Sequence, residues 1–93
     1  MNHTGAIEYY DKALAIDPHD VYALNNKGVA LGKLGNYTGA IEYFDKSLAI
    51  NPKYEITLYD KGYTLAALGN YTGAILYYDK ALAIYPKDVD ALT

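Results

Sequence analysis

Three Asn-x-Thr tripeptides (2–4, 36–38 and 70–72) and two histidines, His3 and His19, are the groups in this chain with an obvious chemistry to offer. Asn-x-Thr accepts sugar in secreted proteins, a Gly-rich turn such as "GNYTG" can cradle phosphate, and a histidine can hold a metal or move a proton. Each reading needs company that the sequence does not supply. "MNHTGAIEYY" has no basic segment followed by an apolar run, so no secretory signal is read there. The Gly-x4-Gly-Lys-Ser/Thr string of a phosphate loop does not occur, and no strand pattern precedes "GNYTG". The histidines are not spaced at i, i+4, and His19 has only Asp17 and Asp20 nearby, so no metal set is expected. His3 stands where later copies carry Tyr37 and Tyr71, which suits a turn-packing residue. The recurring pairs Asp11–Lys12, Asp45–Lys46 and Asp79–Lys80 read as a solvated helix face. No nucleophile accompanies a base and an orienting group, so the expectation is a non-enzyme without cofactor or metal.

Composition narrows the partners. The chain has 93 residues, 52% of them apolar, and a net charge of −3. That is enough for one small domain with a core and too apolar for a disordered chain. All eight basic residues are Lys. Without Arg there is no bidentate fork for phosphate or base edges, and no basic stripe appears, so nucleic acid is not expected. Cysteine is absent, which removes disulfides, thiolates and Cys-based zinc sites. No apolar run reaches the ~18 residues of a membrane span, and a cytoplasmic protein without membrane contact is expected.

A period organises everything else. Pro18, Pro52 and Pro86 are 34 apart, as are Thr4, Thr38 and Thr72. Residues 21–54 and 55–88 align with 20 identities in 34. Residues 1–20 match the back half of that unit, and 89–93 match its start. Leu24, Lys27, Gly28 and Leu31 fall at i, i+3, i+4 and i+7, a helical stripe. Gly35 suits the left-handed residue that closes such a helix, and Asn36 suits the turn. Thr38 and Thr72 are expected to cap the second helices of the units, and Asp20 and Asp88 the helices that follow them. A second helix follows with Ala40, Ile41, Phe44, Ser47 and Leu48 on its packing face, and Pro52 ends it. Five antiparallel helices are predicted, over about 4–17, 21–34, 38–50, 55–68 and 72–85. The Asn-x-Thr strings become joints of a scaffold.

This 34-residue helix–turn–helix unit resembles the tetratricopeptide repeat. The resemblance rests on Leu24, Lys27, Gly28, Leu31, Ala40, Phe44 and Pro52, and on Leu58, Lys61, Gly62, Leu65, Ala74, Tyr78 and Pro86. Leu for Trp, Lys for Leu and Leu for Tyr are departures from the family pattern. The Lys stems are expected to lie along apolar surface with their ammonium groups in water. The resemblance implies an all-α fold, a right-handed α-α superhelix, in which Gly28 faces Ala40 and Gly62 faces Ala74. It divides the single domain into a half repeat (1–20), two full repeats (21–54 and 55–88) and the start of another (89–93).

The resemblance also implies a concave face lined chiefly by first helices. From Leu34 to Lys53, 16 of 20 positions match the next copy, whereas from Val21 to Lys33 only four of 13 do. A shared scaffold with unshared groove residues suits recognition. The positions assigned to peptide binding are Tyr22, Asn25, Asn26, Val29, Lys33, Ile56, Tyr59, Asp60 and Tyr63. Ile56 and Asp60 stand where family members that grip a C-terminal carboxylate would want basic residues, so an acidic tail fits poorly. A protein- or peptide-binding adaptor is the first expectation. The alternative is a self-assembling element that dimerises or stacks through uncapped terminal helices, using Ile7, Tyr10, Leu14, Tyr78, Ala81, Leu82 and Tyr85.

Overall fold

The computed structural model describes residues 2–84, and these form five helices and no strand. They are α1 (His3–Ile16), α2 (Val21–Lys33), α3 (Tyr37–Ile50), α4 (Glu55–Ala67) and α5 (Tyr71–Ile84). Each packs on its neighbour in sequence, and α2 also touches α4, the arrangement of stacked helical hairpins. The expected cap at Asp88 lies outside the described residues.

The joint between α2 and α3 is built by two adjacent residues. Gly35 takes φ +87°, a left-handed conformation that costs glycine little. Its N–H then bonds the Gly32 carbonyl and the Asn36 N–H bonds the Leu31 carbonyl, which closes α2. Asn36 then begins α3, because its side-chain oxygen accepts from the Gly39 N–H at 2.9 Å. Gly69 and Asn70 repeat the device for α4 and α5. This corrects the expectation that Thr38 and Thr72 are the caps. The helices start one residue earlier, and Asn supplies the cap because its amide reaches back over Gly39. A Cβ at Gly39 would lie 2.6 Å from the Asn36 amide nitrogen, so the Gly of "NYTG" makes room for the Asn. Asp20 caps α2 as expected, accepting from Tyr22 and Ala23, whereas Tyr54 begins α4 without a side-chain cap.

The core is thin and made of small residues. Ala23, Leu24, Ala30, Ala40, Phe44, Leu58, Ala74 and Ala81 are its buried apolar members. Within each full unit an aromatic ring lies on a glycine: Phe44 on Gly28 and Tyr78 on Gly62. A Cβ at Gly28 would meet the Phe44 ring at 2.6 Å and the Ala40 carbonyl at 3.0 Å. Two helices therefore approach closely at that point, and the single aromatic fills the space beside it.

The two lysines of the stripe do not reach free water. Lys27 donates to Asp11 of the preceding unit and to the Tyr43 hydroxyl at 3.0 Å, lying 4.3 Å from that ring's centre. Lys61 repeats every contact, with Asp45 and with Tyr77 at 2.9 Å. Burial pulls the pKa of each ammonium down, but the carboxylate and phenol hydrogen bonds outweigh it and the net shift is upward. Asp11 and Asp45, exposed as expected of a solvated face, thus also serve as clasps between units.

Candidate recognition groove

A groove of about 440 Å³ opens between α2, the start of α3 and α4. Gly28, Val29, Gly32 and Lys33 form one wall, Asp60, Tyr63 and Thr64 the other, and Tyr37 and Phe44 close it. Of the nine positions expected to bind, the groove gathers Val29, Lys33, Asp60 and Tyr63. Tyr22, Asn26, Ile56 and Tyr59 are exposed but do not line it. Tyr22 meets Tyr54 edge-on at 5.5 Å, and Tyr59 leans on Tyr78 at 5.1 Å. Tyr37 and Thr64 line the groove without having been singled out.

Asn25 does not face the groove at all. It is 3% exposed, because the α2–α4 crossing covers it, and it anchors a buried polar chain between the two full units. The Thr57 hydroxyl donates to Asn25 Oδ1 at 2.8 Å. Thr57 has then used its only proton, so the Ser47 hydroxyl donates across the 3.2 Å contact between them. The Asn25 side chain also lies near enough to the Asp60 carboxyl to favour its charged form. Burial pushes the Asp60 carboxyl above its ordinary range, and the Asn25 side chain opposes that without reversing it. No cation among the described residues lies within ion-pair distance of Asp60. No side-chain nitrogen or oxygen buried among the described residues is left without a partner. The sequence did carry a signal for this chain. Ser47 replaces Ala13 and Ala81, and Thr57 replaces Ala23, so two polar departures meet at one junction.

The positions assigned to self-association divide. Tyr78 packs on Gly62, and Ala81 is buried against the chain's own core, so neither is an open end. Leu14 lines a shallow hollow with Leu24 and Lys27, and so faces α2 rather than an uncovered side; Ile7, seven residues earlier, shares its stripe. Tyr10 is half-buried beside Tyr9. Leu82 is exposed, and Tyr85 lies outside the described residues.

The paired helices, the glycine beneath an aromatic and the 34-residue recurrence now have a counterpart among known families. Models of the tetratricopeptide repeat match residues 21–54 and 56–88, and a related repeat model matches 2–35. The chain belongs to the tetratricopeptide repeat family. A search of curated proteins found no match. Among solved structures, a crystal structure of MamA superposes with a TM-score of 0.86 at 24% identity, over 96% of this chain and 52% of that one. A second, MamA MSR-1 C2, gives 0.84 at 22%, over 94% and 50%. The chain spans about half the length of these structures, and the likeness is one of fold. No helix among the described residues is long and apolar enough to cross a membrane.

Proposed function

We propose that this chain is a non-catalytic protein- or peptide-binding module that uses the groove between α2, α3 and α4. The observation that carries the reading is the groove's composition. Its walls come from helices whose residues differ between units, and they set a carboxylate, an ammonium and two tyrosines around a glycine-floored channel. Tyrosine offers a large contact area at low entropic cost, and glycine lets a peptide backbone approach. Binding to a peptide library, followed by fluorescence anisotropy, tests it. Changing Tyr63, which lines the groove, to Ala should weaken binding roughly tenfold while the circular dichroism is unchanged. A partner whose contacts map only to the outer faces of α3 and α5 would overturn the reading.

A second reading has its own observation. On α5, Tyr71, Ile75 and Leu82 are 67%, 60% and 42% exposed, while their counterparts on α3 are half-buried under α4. That stripe is an apolar face on which a second copy could stack. Sedimentation from micromolar to millimolar concentration tests it, with Leu82→Glu expected to shift an oligomer towards monomer. A folded monomer throughout would remove this reading.

A further inference from the structure

We infer that the groove selects a peptide carrying a lysine or arginine side chain, whose cation pairs with Asp60 while its stem lies between Val29 and Tyr63. The inference rests on the peptide-binding reading and adds the chemistry of the partner.

Three features of the groove lead to it. The carboxylate is half-buried in the groove wall, so a cation meeting it there is less screened by water than one on open surface. The Asn25 side chain, fixed from behind by Thr57, favours the charged form of Asp60, and no cation of the described residues pairs with it. Its surroundings suit an aliphatic stem ending in charge, with the Val29 side chain across the channel and the Tyr63 ring on the same helix. An uncompensated carboxylate costs stability in this position unless something binds it. Among the described residues the polar chain Ser47–Thr57–Asn25 occurs only at this junction, beside Asp60.

Lys33 lines the same channel without reaching Asp60. α2 and α4 hold equivalent places in successive units, and Lys33 is seven positions beyond the counterpart of Asp60, or ~10 Å along the helix direction. The groove is therefore polarised, negative at Asp60 and positive at Lys33. A bound segment meets a cation acceptor first and a cation two helical turns later, where a backbone carbonyl or an acidic side chain would sit. The net charge of −3 favours approach of a basic partner over an acidic one.

The test uses the whole chain, labelled with ¹⁵N, and blocked pentapeptides that differ only in a central Lys, Arg, norleucine, citrulline or Glu. Amide shifts are followed during titration at low salt. Lys and Arg peptides should bind roughly tenfold more tightly than norleucine and citrulline, with shifts at Val29, Lys33 and Tyr63. Asp60→Asn, which keeps the shape, should abolish that preference, so that the Lys, Arg and norleucine peptides bind alike. If all five peptides shift the groove residues equally in the unmodified protein, the cation preference is wrong and groove binding stands. A preference that survives in Asp60→Asn also rejects it. If no peptide shifts any groove residue, the peptide-binding reading falls with it.

Discussion

Two junctions join successive units, one between α1 and α2 and the other between α3 and α4, and they agree on the outside while differing within. Each is clasped at its edge by the same trio, Asp11–Lys27–Tyr43 in one and Asp45–Lys61–Tyr77 in the other. Inside, the first has Ala13 and Ala23 where the second has Ser47 and Thr57. Only the second continues to Asn25, beside a groove carboxylate. A scaffold contact can be copied from unit to unit, because the same geometry recurs every 34 residues. A recognition site is needed once, so its supporting groups break the copy. The departures from the repeat thus fall beside the proposed groove site.

The largest effect is expected from Gly28→Leu, which strikes the scaffold common to both units. The Phe44 ring and the Ala40 carbonyl leave no room for a Cβ, and overpacking should cost roughly 1–3 kcal/mol or more in urea unfolding. Loss of the folded state altogether would agree with it; an unchanged unfolding midpoint would not.

Thr57→Val separates the junctions next. It removes the donor to Asn25 at constant shape, at a cost of about 1–3 kcal/mol for a buried acceptor left unmet, while Ser47 keeps the Val21 carbonyl as an acceptor. The mirror change, Ala23→Thr, puts a hydroxyl into the apolar junction and should destabilise as well. If both are neutral, the polar chain does not distinguish the two seams.

The clasps should be smaller and equal. Lys27→Met and Lys61→Met should each cost about 1 kcal/mol or less, because the partner carboxylates are exposed. Both lysines have a folded pKa above the ordinary 10.5, so their contribution is present below that pH and is lost as pH rises through the raised folded value. Chemical unfolding of the two variants at neutral and strongly alkaline pH checks both statements. Unequal losses would break the symmetry on which the comparison rests.

The helices, their order and the Gly35 turn were legible because they follow from period and local chemistry. So was the side of α4 that carries Asp60 and Tyr63. The rest depended on what lies opposite. Asn25 and Asn26 are adjacent on α2, 100° apart, and whether Asn25 points to groove or seam is decided by how α4 crosses it. Asn36 displaced Thr38 as the cap because a side chain three residues before a glycine can fold over it, which no propensity scale reports. Lys27 and Lys61 read as surface residues until Asp11 and Asp45, 16 positions earlier, came within reach. Tyr78 and Ala81 read as an open end, although Tyr78 lies on Gly62 of the unit's own first helix and Ala81 is buried.

The smallest change of all bears on the groove. Asp60→Asn should raise the melting temperature at neutral pH. A carboxylate whose folded pKa lies above its unfolded value costs stability above that folded pKa, and the cost disappears as pH falls through it towards 3.8. The direct measurement is the titration of the Asp60 carboxyl carbon by ¹³C NMR in the unmodified protein. A midpoint above 3.8 is the predicted result, and it should rise further if Thr57→Val loosens the Asn25 side chain that opposes the shift. A midpoint at or below 3.8 would contradict the claim that this junction holds a desolvated carboxylate ready for a partner.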